Sequence, residues 1–495
     1  LQAGIDGGKS KMASLRKKTL HAVGWRTIVD VGEQILLIGF TAVLARLLTK
    51  ADFGLIAMAL LVNNFVYAMT QLGLNAAIIQ SPKIKKEQVS AIFFIQVGIG
   101  FSTSLICYFL SPVAADFFHQ PKLTPVVQTL SWVLFINSFS FPQVFLQKRI
   151  QFRGFSLVEL SAMLISNVVG IAMAYGGFGI WSLVCRLMLH RSIFAIGIWP
   201  LVKWIPGRPS IAGAEKIFHF GLNMYGAHVL SYFSQNFAAI ITGKLIGVET
   251  LGSFNIAYNL ALVPAQKIRD ILTSALYPSF CAVNQNALKF KTAFYESLFT
   301  LSIFFIPAML GLSVVADDLV VLIYGSKWKE AGLFLSFLAI IGLLKGIEHV
   351  LRTVVLAKGW ANRIFFITVI EISMSLPLMY YAIMTWEVTG LLFAYLCISV
   401  ISFAVLGWFA QKAAQDNTIL FRSMGHSLII ALFMTGVVFL VKQIHFSTNF
   451  ANLTLQVATG AIAYFILRIF LFREEEKAIL SAYPFGGNIK SFKKD

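Results

Sequence analysis

Polar residues along this chain gather into short patches, and long apolar stretches run between them. The stretches fall at about 24–48, 53–78, 88–112, 123–146, 155–175, 178–202, 213–243, 251–282, 293–316, 331–357, 363–385, 388–411, 424–442 and 451–472. An α-helix needs about 20 apolar residues to cross a hydrocarbon core of about 30 Å, so the pattern predicts fourteen membrane-spanning helices. A transmembrane barrel would alternate in short stretches instead. Two divisions rest on small signals: Tyr175-Gly176-Gly177-Phe178-Gly179 parts the fifth span from the sixth, and Trp386-Glu387 parts the eleventh from the twelfth.

Charge orients the helices. With a cytoplasmic start, the inner connections hold Lys83, Lys85, Lys86, Lys148, Arg149, Arg153, Lys203, Arg208, Lys289, Lys291, Lys358, Arg363, Lys412 and Arg422. The outer ones hold only Lys50, Lys122, Lys244, Lys327, Lys329 and Lys442. The positive-inside bias then puts both ends in the cytoplasm, which requires an even count. The chain also repeats itself. The string from Leu48 through Phe53-Gly54-Leu55 to Ala59 is echoed from Ile246 through Leu251-Gly252-Ser253 to Ala257, with Gly54 and Gly252 198 residues apart. A fainter echo pairs His119-Gln120-Pro121-Lys122 with Tyr324-Gly325-Ser326-Lys327. The repeat implies two six-span halves in one orientation, related by a pseudo-twofold axis along the membrane normal, as in transporters that rock about a central site. The expected division is a start at 1–13, an N-lobe at 14–202, a C-lobe at 203–411, two extra spans within 412–472 and a cytoplasmic tail at 473–495. Leu1–Lys11 read as foreign to the rest of the chain, with Met12 as the expected start.

Composition sharpens the class. The chain is 58% apolar and 13% charged, against about 45–50% and about 25% for soluble domains. That excludes disorder and a string of soluble domains, and the fold class is an all-α integral membrane protein. The net charge of +18 fits basic cytoplasmic loops better than nucleic-acid binding. Cys107, Cys185, Cys281 and Cys397 are far apart, so no disulfide framework or zinc site is implied. The first span carries Arg26, Asp30 and Glu33 and is read as retained, not as a cleaved leader. No HExxH, GxSxG, P-loop or dinucleotide fingerprint is present, so neither enzyme activity, cofactor nor metal is expected. Uphill transport would then draw on an ion gradient or another protein.

Candidate chemistry lies with polar residues inside spans, where a charge is costly and suggests function by default. In the first span Arg26, Asp30 and Glu33 lie within about 60° of each other, either facing a cavity or forming a paired cluster reached by cytoplasmic water. In the second, Asn63, Asn64, Tyr67, Thr70 and Gln71 share a face that is a cavity wall or polar glue between helices. In the eighth, Asn255, Tyr258, Asn259, Gln266, Arg269 and Asp270 share a face, with Pro264 among them and Lys267 beside it. Arg269 is suited to hold a phosphate bidentately, with Asp270 holding Arg269; the alternative is a helix end reaching water. In the tenth, Lys345, Glu348, His349 and Arg352 lie within about 100° of arc and either line water or pair with another helix, for example through Glu371. The seventh span's Asn223, Ala227, Ser231, Ser234 and Ala238 read mainly as a close-packing face. Arg46 closes the first span, where it can snorkel.

Dispersed strings add a resemblance. Ser14-Leu15-Arg16-Lys17-Lys18-Thr19, Val43-Leu44-Ala45-Arg46-Leu47-Leu48, Ala257-Tyr258-Asn259-Leu260-Ala261, Val263-Pro264, Tyr277-Pro278-Ser279-Phe280, Tyr324-Gly325-Ser326-Lys327-Trp328 and Leu356-Ala357-Lys358 together resemble the polysaccharide exporters of the multidrug/oligosaccharidyl-lipid/polysaccharide superfamily. The likeness is to the Wzx-type branch with the colanic acid and teichuronic acid exporters, over about Ser14 to Arg473. It implies a flippase that turns an undecaprenyl-pyrophosphate-linked oligosaccharide across the bacterial inner (cytoplasmic) membrane by alternating access. Arg46, Asn259 and Lys267 match family positions; Arg26 does not clearly match one. The expected substrate-binding residues are Arg46, Asn63, Gln71, Asn255, Asn259, Lys267, Arg269, Lys345 and Arg352, and the expected ion-coupling residues Asp30, Glu33, Asp270 and Glu348. Expected partners are the lipid-linked oligosaccharide, membrane lipid and polysaccharide polymerase or co-polymerase proteins, with no nucleic acid. A monomer is expected, since one chain holds both halves. The rivals are a small-molecule cation antiporter of the same superfamily and a membrane polysaccharide polymerase or ligase.

Overall fold

Backbone in hydrocarbon has no water to bond, so apolar runs fold as helices, which satisfy their own N–H and C=O groups. The computed structural model describes residues 29, 32–70, 78, 85–149, 152–209, 232–443 and 449–482, with backbone alone at 70, 152, 263–275 and 471–482. Among the described residues there is no strand. The helices are α1 (32–47), α2 (Lys50–Thr70), α3 (Lys86–Phe117), α4 (Leu123–Ser138), α5 (Gln143–Lys148), α6 (Phe152–Tyr175), α7 (Ile180–Val202) and α8 (232–241). Next come α9 (Val248–Ala282), α10 (Ala287–Tyr324), α11 (Glu330–Ala357), α12 (Ala361–Ala414), α13 (Ile419–Lys442) and α14 (Asn449–Ala482). Nine helices among the described residues are long and apolar enough to cross a membrane. One of these, α12, is two helices, divided by non-helical backbone at Trp386 and Glu387, the dipeptide that the hydropathy pattern marks. Glu387 has φ 49° and ψ −126°, a conformation that favours glycine. The other marked division also holds: α6 ends at Tyr175, and α7 begins at Ile180.

The chain forms two compact units. One comprises Leu1–Leu260, Ile323–Ala331 and Phe365–Ile398, the other Ala261–Leu322, Gly332–Ile364 and Ser399–Asp495. In the first unit the sequence echo acquires a physical meaning. A Cβ on Gly54 would stand 1.8 Å from the Val248 carbonyl oxygen, and one on Gly252 2.3 Å from that of Lys50. Lys50 and Val248 open α2 and α9 and are themselves repeat equivalents. Each glycine therefore backs onto the counterpart of the residue that the other touches. Such reciprocal contact is the signature of a two-fold relation.

The string Tyr324 to Trp328 also finds its use in this unit. The last carbonyls of a helix have no partner within it. Here Trp328 Nε1 donates to Ala45 O at 2.9 Å, and Lys327 Nζ donates to Leu48 O at 2.6 Å and Arg46 O at 3.1 Å. A cation there also suits the negative end of the α1 dipole. Trp328 is fully buried, edge-on to Phe53 at 5.3 Å. Farther along, Phe93 is ringed by Phe139, Phe141, Trp199 and Trp204.

The second unit ties its helices with hydroxyl groups, which pack closely and bond across helices in lipid. Ser302 Oγ on α10 lies 3.0 Å from Ser427 Oγ on α13, and the Tyr464 hydroxyl on α14 donates to Ile303 O at 2.8 Å. At one end of the unit, Lys291 pairs with Asp416 at 2.8 Å. The Asp416 carboxylate also accepts from the Thr418 N–H and hydroxyl, both at 2.8 Å. Lys291 and then Thr418 hold its carboxyl well below the usual range.

Candidate functional site

Most expected site residues that the structure describes fall into small local groups. In the first unit, Asn63 is buried on α2, and its Oδ1 accepts from the Cys107 thiol of α3 at 3.1 Å. Asn255 and Asn259 stand one turn apart on α9. The Asn259 amide donates to the Asn255 carbonyl at 2.9 Å and to its Oδ1 at 3.0 Å, an exposed amide ladder with spare donors and acceptors for hydroxyl groups. Arg46 is exposed at the end of α1, where its Nε donates to Ile323 O at 3.2 Å. Glu33 is half-buried on α1. In the second unit, Lys345 and Glu348 form an ion pair at 3.5 Å along α11, with the carboxylate buried. An expected substrate cation and an expected coupling carboxylate are thus partners in one ion pair. Arg352, half-buried, stands one turn farther on. Asp30 and Gln71 lie outside the described residues, as do Arg26, Asn223, Ala227 and Ser231; at Lys267, Arg269 and Asp270 the backbone alone is described.

Two arginines escape a reading of polar faces, and the structure gives a setting for Glu371, which the sequence names only as a partner for the tenth span. Glu371, buried on α12, lines a cleft with Ser234 and Ala238 of α8, Ser375 and Tyr395. The cleft leaves about 10 Å³ for the centre of a water molecule, room for about one. That is far too small for a sugar and suits a proton carrier or a small cation. Arg468, buried on α14, donates to the Tyr464 hydroxyl at 2.7 Å and to Ser427 Oγ at 3.3 Å. Arg186 sits inside α7 and donates from Nη1 to Asn167 Oδ1 of α6 at 3.4 Å. The sequence carries a signal for both arginines, a cation within an apolar run. Faces with several polar groups outweigh it.

The fold and these embedded groups define a multi-pass helical membrane protein with polar and cationic positions inside its spans. Residues 43–333 match the family model described as "Polysaccharide biosynthesis protein", and the chain belongs to that family. It is similar to the lipopolysaccharide biosynthesis protein WzxC of Escherichia coli (strain K12), at 25% identity over 80% of this chain and 82% of that one. It is also similar to the teichuronic acid biosynthesis protein TuaB of Bacillus subtilis (strain 168), at 26% identity over 95% of this chain and 99% of that one. Among solved structures it shares its fold with the lipid II flippase MurJ in an inward closed conformation. There the TM-score is 0.73 at 14% identity, over 90% of this chain and 98% of that one.

Proposed function

We propose that this protein is a flippase that moves an undecaprenyl-pyrophosphate-linked oligosaccharide across the bacterial inner membrane, with both termini cytoplasmic. The observation that carries the reading is the set of guanidinium and amide groups inside apolar helices of a chain of the polysaccharide biosynthesis family. A sugar pyrophosphate carries about two negative charges and many hydroxyls, and about 30 Å of hydrocarbon bars its passage. Amides such as Asn255 and Asn259 replace water at sugar hydroxyls, and arginine replaces it at phosphate. The prenyl tail stays in lipid throughout. In this reading Arg46, Asn63, Gln71, Asn255, Asn259, Lys267, Arg269, Lys345 and Arg352 serve the headgroup, while Asp30, Glu33, Asp270 and Glu348 couple an ion gradient to alternating access. The protein is a transporter, not an enzyme.

The test is a deletion strain with and without the gene, in which lipid-linked oligosaccharide and surface glycan are quantified together. Accumulated lipid-linked units and missing surface glycan, both restored by the gene, are the expected result. Unchanged lipid-linked units would sink the reading. Altered glycan chain length without accumulation would favour the polymerase alternative, and altered drug resistance alone the antiporter.

A further inference from the structure

The α6–α7 hairpin carries a cationic position, Arg186, that is not among the residues assigned to the headgroup above. Close contacts fix its antiparallel register: a Cβ on Gly197 would meet Val158 Cγ1 at 2.7 Å, and one on Gly154 would meet Leu201 Cδ1 at 3.2 Å. At the level of Gly170 the facing residue is Arg186, whose Cβ would lie 3.1 Å from an added Cβ. The glycine leaves room for the stem of the arginine. At 1.5 Å per residue, Arg186 lies about 10 Å into α7 from Ile180, and His190 lies about 15 Å in, near mid-membrane. His190 stands at i+4 on the same face, and Arg191 adds a second arginine in the same turn.

The guanidinium of Arg186 is held by one end only. Asn167 is 1% exposed, and its Nδ2 donates to Met163 O at 2.8 Å, which turns its Oδ1 toward Arg186. That oxygen engages Nη1. Nε is buried and has no acceptor. Among the described residues, no carboxylate lies within ion-pair distance of Arg186. Its single acceptor is neutral, so the positive charge stays uncompensated. The side of the guanidinium left available, Nε with Nη2, is the fork that grips two oxygens of a phosphate.

We infer that Arg186 and His190 form a phosphate-binding station inside the membrane, used by the headgroup of the cargo in transit. The inference rests on the flippase reading and names the part of the substrate bound here. Depth separates the two sources of lipid phosphate. The phosphodiester of a membrane phospholipid stays at the interface, whereas only a headgroup being moved reaches mid-membrane. Binding relieves the orphaned Nε donor, after a small shift at the α6–α7 contact that admits an oxygen.

The experiment uses the full chain in lipid nanodiscs, with undecaprenyl pyrophosphate, farnesyl pyrophosphate, farnesyl monophosphate and phosphatidylglycerol as probes. Wild type is expected to bind both pyrophosphates more tightly than the monophosphate. Arg186→Met and His190→Gln should each weaken pyrophosphate binding, Arg186→Met by at least about tenfold, with phosphatidylglycerol binding unchanged. Arg186→Met should keep or raise the Tm, because it removes a charge that the fold does not compensate. Arg186→Lys keeps the charge but loses the fork, and should recover only part of the affinity. Unchanged pyrophosphate affinity in Arg186→Met, or full affinity in Arg186→Lys, overturns the station and leaves the flippase reading standing. A Tm loss in both arginine variants makes Arg186 structural and also overturns it. Failure of wild type to bind any pyrophosphate lipid overturns the flippase reading itself.

Discussion

Gly54→Ala tests the reciprocal crossing of α2 and α9 with one methyl group. The new Cβ would lie 1.8 Å from Val248 O and 2.6 Å from the Val248 carbonyl carbon. Non-bonded carbon needs about 3.5 Å, so the crossing must open by roughly 1.5 Å. The obstacle is backbone at a helix start and cannot rotate away as a side-chain end would. Overpacking of this kind costs about 1–3 kcal/mol, and a backbone obstacle points to the upper part of that range. Alanine returns up to about 1 kcal/mol of helix propensity, which leaves a net loss of about 2 kcal/mol. Gly252→Ala meets Lys50 O at 2.3 Å and should cost a similar amount.

The double variant is the sharper test. Both methyls push on one crossing, so space opened for the first partly serves the second. The double should therefore cost less than the sum of the singles, by about 1 kcal/mol. Gly436→Ala is the control, since nothing lies within 4 Å of its Cβ position. It should be neutral or stabilising by up to about 1 kcal/mol. The assay is thermal unfolding of detergent-purified protein, followed by intrinsic fluorescence and by retention of the monodisperse peak. A Gly54→Ala variant as stable as Gly436→Ala would refute the close crossing. Strictly additive singles would refute its reciprocity.

Two further predictions concern single groups. Asp416→Asn should cost about 1 kcal/mol at neutral pH, by loss of the Lys291 pair. The folded pKa of Asp416 is depressed. Its contribution is therefore present above the unfolded pKa of about 3.9 and is lost as pH falls through the lower folded value. The Tm difference between wild type and variant should stay constant from about pH 5 to about pH 8 and shrink only below about pH 4; a difference that vanishes near pH 6 would refute the assignment. Glu387→Gly should stabilise the protein by about 1 kcal/mol, because φ 49° with ψ −126° is strained for a side-chain-bearing residue; a lower Tm would show that the glutamate side chain makes up for its backbone.

What the linear pattern conveys depends on how local the cause is. Helix positions come from runs of apolar residues, and the breaks at 176–179 and 386–387 from glycine and from a single glutamate inside an apolar stretch. The Gly54/Gly252 echo reveals a repeat but not that the repeated elements touch; that needs the chain closed in space. Tyr324 to Trp328 supports a resemblance, yet its work as a cap for α1 spans some 280 residues of sequence and leaves no periodic trace.

The arginines show the limit most clearly, and the limit is one of partners. Polar faces on one helix can be read from a period of 3.6 residues, which brings out Asn255 with Asn259, and Lys345 with Glu348. A lone arginine has no such pattern, and its meaning depends on what the neighbouring helix sets against it. Arg468 meets two hydroxyls, those of Tyr464 and Ser427, which tie it into the packing of α13 and α14. Arg186 meets a single amide oxygen, itself fixed by the Met163 carbonyl, and keeps a buried donor unspent. The two residues are alike in the sequence, each a cation within an apolar run. The physical difference is the number of acceptors that each guanidinium meets, two hydroxyls at Arg468 against one amide oxygen at Arg186, and it separates an arginine that holds helices together from one placed to receive an anion.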